Sequence, residues 1–194
     1  MSNTKSQGEE KRRKNIVLGI TGSIAAYKAA YITNALSKMG YNVDVIMTKA
    51  SMEFITPLTL QTLSKNRVYM DAFQLDYPRE VKHISLSKKA DLFLIAPATA
   101  NIIGKIANGI GDDMLSSVAL AMKGIPMMIA PAMNTRMWEN PIVQENIQKL
   151  KKCGYQFIEP REARLADGEL GKGALADVDE ILQVINDTLQ GYCQ

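Results

Sequence analysis

Short apolar runs, each closed by a turn residue and each followed by a helical stretch, constrain this chain most. Residues 15–21, Asn-Ile-Val-Leu-Gly-Ile-Thr, are rich in β-branched side chains and carry no polar alternation. Such a run is a strand buried on both faces, the kind found in parallel sheets. Gly22 breaks it, Ser23 can cap a helix over roughly 24–39, and Lys38 and Gly40 suit that helix's end. The pattern repeats. Strands are expected at 42–48, at 91–96 before Pro97, at 126–130 before Pro131, and at 155–159 before Pro160. Helical segments are expected over 50–65 with a break at Pro57, within 98–122, over 141–152, and over 177–190. Residues 66–81 read as a polar excursion and 161–176 as a mobile loop. Strands alternating with helices give a doubly wound parallel sheet with right-handed crossovers. The 194 residues suffice for one such α/β domain and hardly for two.

Composition narrows the function. The net charge of +3 owes much to Lys11, Arg12, Arg13 and Lys14, so residues 1–14 read as a disordered, solvated basic arm and 15–194 as the domain. No basic stripe with interleaved aromatics follows, which argues against nucleic acid. No apolar run is long enough to span a membrane, and the arm lacks a signal peptide's apolar core. Cys153 and Cys193 make no framework, and with His83 the only histidine a metal site is not expected. The simplest setting is a reducing cytoplasm.

In open parallel sheets, ligands bind beyond the carboxyl ends of the strands, where strand order reverses. That rule singles out 21–24, 48–54, 97–104 and 131–138. Gly22 allows close backbone approach to a ligand, but the G-x-G-x-x-G and P-loop patterns are absent. Thr48, not an acid, ends the second strand, so nothing obvious holds an adenosine ribose; a mononucleotide fits better than a dinucleotide. Thr99 and Asn101 offer hydrogen-bonding groups beside small residues, or simply cap a helix. Asn134 puts a neutral amide at the fourth strand's end. Trp138 is at least as well explained as a packing anchor as a ligand contact. His83 is the only imidazole available for proton transfer near neutral pH, although a lone histidine is more often structural.

Pro97-Ala98-Thr99-Ala100-Asn101, together with Pro131-Ala132-Met133-Asn134 and Met137-Trp138, resembles the flavin-loop and substrate-site motifs of the flavin-containing cysteine decarboxylases. The resemblance runs from about residue 15 to 185. That family includes phosphopantothenoylcysteine decarboxylases and the peptidyl-cysteine decarboxylases of lantibiotic-type peptides. It implies a Rossmann-like flavoprotein binding flavin mononucleotide (FMN) through Gly22, Ser23, Ile24, Thr48, Ser51, Thr99, Ala100, Asn101 and Ala132. It implies that Asn134 holds the substrate carboxylate and that His83 acts at the thiol end. It implies a flap over 165–174 whose Ala166, Asp167, Gly168 and Lys172, with Met137, meet the substrate. Homotrimers, or higher assemblies of trimers, with sites between subunits are also implied.

One position departs from the coenzyme A branch. Its flap carries Leu-Ala-Cys-Gly-Asp, whereas this chain reads Leu165-Ala166-Asp167-Gly168-Glu169. A carboxylate cannot do thiol redox chemistry. The expectation is therefore oxidative decarboxylation of a cysteine-type substrate, such as a peptide ending in cysteine or a small thiol, to an enethiol. Phosphopantothenoylcysteine decarboxylation giving 4′-phosphopantetheine is the alternative, and a non-catalytic flavin-binding subunit a further one. Arg161, Arg164 and Lys172 are candidates to meet a phosphate or a carboxylate, or are ordinary exposed loop charges.

Overall fold

The computed structural model describes residues 12–70, 82–166 and 168–191. The domain is built on β1 (Asn15–Ile20), which pairs in parallel with β2 (Asn42–Met47) on one side and β4 (Leu92–Ala98) on the other. With β3 (Val68–Tyr69), β5 (Met127–Pro131) and β6 (Tyr155–Phe157), the order is β3-β2-β1-β4-β5-β6, all parallel. The chain winds outward from β1 to β3, then returns to β4 and winds the other way. The switch point lies between β1 and β4, so a crevice opens at their carboxyl ends.

The apolar runs are continuous because helices cover both faces. Ile16, Leu18 and Ile20 of β1 pack with Leu94 and Ala96 against α1 (Lys28–Lys38), α2 (Pro57–Ser64) and α8 (Val178–Gly191). Val17, Phe93 and Ile95 face the opposite way. They pack with α3 (Lys82–Lys89), α4 (Ala100–Ala107), α5 (Met114–Ala121) and α7 (Pro141–Lys152). Proline opens α2 and α7, where its missing N–H costs no intrahelical bond.

Four sequence expectations change. The excursion at 66–81 contains β3, too short for any periodicity to show; its 71–81 portion lies outside the described residues. Pro97 does not stop β4, which continues through a cis Ala96–Pro97 bond and a register shift to pair Ala98 with Pro131. The helix expected from residue 24 starts as a 3₁₀ turn, Ile24–Tyr27, before α1. The loop at 161–176 is an antiparallel hairpin of β7 (Arg161–Arg164) and β8 (Leu170–Ala174). Most of the basic arm lies outside the described residues, but Arg12 reaches Asp91 at 2.6 Å.

One charge is buried in the sheet. Asp44 of β2 is 3% exposed and meets Lys89 of α3 at 2.7 Å through Oδ2, which makes no hydrogen bond besides this contact. Lys89→Met strands that carboxylate and is expected to cost about 2–3 kcal/mol in urea unfolding, below the full value of a buried pair because the lysine is 41% exposed. The double variant with Asp44→Asn should recover most of the loss. Equal losses in single and double variants would contradict the pairing.

Candidate functional site

Thr21, just past β1, ties the two sides of the switch point together. Its hydroxyl donates to the Pro97 carbonyl at 2.7 Å and accepts from the Thr99 N–H at 3.0 Å, while its own N–H reaches Pro97 O at 3.3 Å. The side chain is 2% exposed, so these bonds form out of water. Thr99 stands at the N-cap position of α4, and its hydroxyl makes no capping hydrogen bond. Ala132 N–H, at the end of β5, then bonds Ala98 O at 2.9 Å and brings the fourth edge segment alongside.

These segments wall a cavity of about 480 Å³, lined by Thr21, Gly22, Thr48, Lys49, Ala50, Thr99, Asn101 and Met137 among others. Gly22 is required there: a Cβ would sit 2.5 Å from Ala50 Cβ. Thr48 accepts from Ser51 N–H, and Ser51, fully buried, donates its hydroxyl back to Thr48 O at 2.7 Å. Ser51 thus shapes the 48–54 turn. Lys105 and Asp113 also line this cavity. Lys105 Nζ lies 2.7 Å from Asp112 and 2.8 Å from Asp113. Hydrogen bonds to Asp112 and Asp113 raise the Lys105 ammonium above its ordinary value. Burial would raise Asp113, but its bonds from Lys105 and Ser116 outweigh that and hold it low.

A second cavity, about 530 Å³, lies between the start of α1 and the hairpin, with Asn134 on its wall. Asn134 caps α6 (Thr135–Trp138), its Oδ1 accepting from Arg136 N–H at 2.8 Å. That bond fixes the amide plane, and the amide's donor end is its Nδ2. The hairpin docks on the same segment. Met133 N–H bonds Gly173 O at 3.0 Å, and a Cβ on Gly173 would collide with the Met133 carbonyl. The hairpin tip closes through Leu165 N–H to Glu169 O and Gly168 N–H to Leu165 O.

The structure therefore brings Gly22, Thr48, Thr99, Asn101 and Met137 to one cavity and Ser23, Ile24, Asn134 and Ala166 to its neighbour. Ala100 opens α4 beside them. Others stand apart. Lys172 Nζ bonds Glu159 at 3.0 Å and sits 5.5 Å over the Trp138 ring, away from both cavity walls. Trp138 is buried in the core, as a packing anchor is. His83, half-buried on α3, lines neither cavity. Gly168 is exposed at the hairpin tip, and Asp167 lies outside the described residues. Lys28, Lys105 and Asp113 are cavity residues that sequence reading missed.

The residues fit a flat, polar-edged mononucleotide. The first cavity lies within the usual range for small-molecule sites, roughly 300–1,000 Å³. Gly22 and Ala50 stand on its wall with the apolar Ile102 and Met137. Its hydroxyls and amide come from Thr48, Thr99 and Asn101.

Comparison with known proteins agrees. The Flavoprotein family model matches residues 4–190. A probable phosphopantothenoylcysteine decarboxylase of Streptococcus mutans is 53% identical over 177 residues, covering 91% of this chain and 99% of that protein. The coenzyme A biosynthesis bifunctional protein CoaBC of Bacillus subtilis is 47% identical over 171 residues, which are 88% of this chain and 42% of that longer protein. Among solved structures, a PPC decarboxylase mutant complexed with pantothenoylaminoethenethiol superposes with a TM-score of 0.80 at 32% identity, covering 90% of this chain and 97% of the other. The peptidyl-cysteine decarboxylase EpiD gives 0.77 at 26% identity, covering 90% and 99%.

Thr21→Val keeps the shape of the clamp and removes its hydroxyl. It is expected to cost about 1–3 kcal/mol of stability and to lower the flavin retained through purification, read as absorbance near the flavin band against protein. A variant with wild-type stability and flavin content would show that the clamp does not organise the site. Motifs, fold and matched residues agree, and the chain belongs to the Flavoprotein family.

Proposed function

We propose that this chain binds FMN at the β1/β4 crevice and oxidatively decarboxylates 4′-phosphopantothenoylcysteine. The observation that carries the reading is Asn134 on the wall of a hairpin-covered cavity, adjoining a second cavity built from the flavin-loop residues. The 53% identity to the Streptococcus mutans relative supports this substrate over a peptide. In this reading Gly22, Ser23, Ile24, Thr48, Ser51, Thr99, Ala100, Asn101 and Ala132 hold FMN.

FMN, when bound, supplies an electron acceptor for oxidising the thiol-bearing carbon. The need for it is chemical. A cysteine carboxylate has no electron sink, and a thioaldehyde carbon provides one for the electrons left when carbon dioxide departs. Asn134 positions that carboxylate through a neutral amide. An arginine would bind the ground-state charge more tightly than the transition state, where the charge is dispersing. His83 lines neither cavity of one chain, so its role at the thiol end is assigned to a copy in a neighbouring subunit of a trimer. Ile24 and Tyr27, exposed beside the second cavity, offer an apolar surface for that neighbour.

The sequence favours one refinement. Asp167 stands where the coenzyme A branch has its flap cysteine, so no flap thiol is present to reduce the enethiol. The product in this reading is the enethiol, and the two electrons removed would pass on to oxygen or another acceptor.

Mass spectrometry of the products tests both statements. Phosphopantothenoylcysteine should lose carbon dioxide and two hydrogens, and peptides ending in cysteine should remain unchanged. Loss of carbon dioxide alone would overturn the role given to Asp167, and turnover of the peptides alone would overturn the substrate. Asn134→Arg, with flavin retained, should lower kcat by about 100-fold or more.

A further inference from the structure

We infer that Lys28, Arg161 and Arg164 form a subsite for the terminal phosphomonoester of a substrate whose reacting end lies at Asn134. All three side chains line the 530 Å³ cavity that also holds Asn134, and no carboxylate is among its described lining residues. Three cations on the wall, of which only Arg161 has a carboxylate partner among the described residues, Asp177 outside the lining, are matched by a dianionic ligand group. A phosphomonoester carries about −1.5 to −2 at neutral pH. A peptide ending in cysteine brings only the carboxylate that Asn134 would take.

The three residues come from two elements. Lys28 is the first residue of α1, anchored by the buried Ala29 and Ile32. Arg161 and Arg164 lie on β7, and strict alternation would put residues three apart on opposite faces. The bulge opposite the Arg161–Glu162 step is on β8, where Gly173 is the extra residue, and both arginines line the one cavity. Arg161 is fixed through Nε, which lies 3.2 Å from Asp177 and 3.3 Å from Leu175 O. A guanidinium held at Nε still has its paired Nη donors for a bidentate oxyanion.

The charges also oppose one another. Burial and then the positive charge of Arg161 lower Lys28 below the ordinary lysine value, with Asp177 acting in the other direction. An anion between these groups relieves that repulsion and part of the desolvation cost. The assignment rests on the proposed decarboxylase reading for the identity of the substrate, and on the cavity alone for the chemistry of the subsite. It replaces Lys172, which Glu159 and Trp138 engage.

Calorimetric binding to the flavin-loaded protein is the test, with ligands whose cysteine is replaced by serine so that no turnover follows. Wild type should bind 4′-phosphopantothenoylserine more tightly than pantothenoylserine by on the order of 100-fold. Lys28→Gln and Arg164→Gln should each bring that ratio within about tenfold, and Lys28→Arg should restore it. Flavin per protein, from the absorbance ratio, should stay at the wild-type value in all three. A ratio unchanged in both glutamine variants overturns the subsite. Loss of flavin in step with loss of charge also overturns it, assigning the cations to the flavin's own phosphate. A wild-type protein that keeps the ratio yet decarboxylates neither cysteine-containing counterpart overturns the proposed reaction and leaves the subsite standing.

Discussion

The Thr21 hydroxyl holds the site together because the sheet itself does not. Beyond Ile20 and Ala96 the ladder between β1 and β4 has ended, and the chains diverge toward two different helices. A divergent crevice makes a binding site only if its walls keep a fixed separation. Thr21 sets that separation by accepting from one residue of the 97–99 segment and donating to another. Both bonds are shielded from solvent, where the penalty for leaving either partner unsatisfied is greatest. Gly22 and Ala50 then meet at contact distance, and the cavity behind them takes its width from that contact.

The hairpin is the second organised wall. Its strands carry mostly polar and small side chains, so it adds little apolar burial of its own. Contacts at its base hold it instead. Met133 bonds Gly173, and Lys172 bonds Glu159. Burial would raise the Glu159 carboxyl, but hydrogen bonds from Lys172 and Lys151 outweigh it and keep the group ionised to lower pH than usual. Toward the tip, Glu169 meets Arg136 of α6 at 3.6 Å through exposed side chains. A hairpin held by polar contacts rather than by apolar burial suits a cover that must admit a substrate.

Much of this was legible in the sequence, and the failures have physical causes. The buried strands announce themselves because helices on both faces demand unbroken apolar runs. Proline at the start and glycine after the end marked the bounds of α7. β3 was missed because two residues have no period. β4 was cut short because Pro97 cannot donate to a ladder, yet there its carbonyl is the group in use. The hairpin was missed because its glycines read as loop, whereas at Gly173 the requirement is close approach to Met133. The ligand edge could be named from topology alone, and Thr48, Thr99, Asn101 and Asn134 all line its cavities. Lys28, Lys105 and Asp113 could not be named. Their place on a cavity wall depends on how far a helix is rotated against the sheet, and no spacing in the sequence encodes that.

The charge along the second cavity bears on how a substrate would enter it. Its wall carries Asn134, a neutral amide, and the cations Lys28, Arg161 and Arg164. A molecule with a carboxylate beside the reacting carbon and a phosphomonoester at its far end has two anionic groups, and a uniformly cationic cavity would accept it in either direction. A neutral amide for one group and cations for the other would remove that ambiguity, because the more highly charged group gains most from the cations. In the proposed reading the same division spares the reacting carboxylate a strong ion pair that catalysis would have to break. Binding strength would then lie where no bond changes, and the neutral amide where one does.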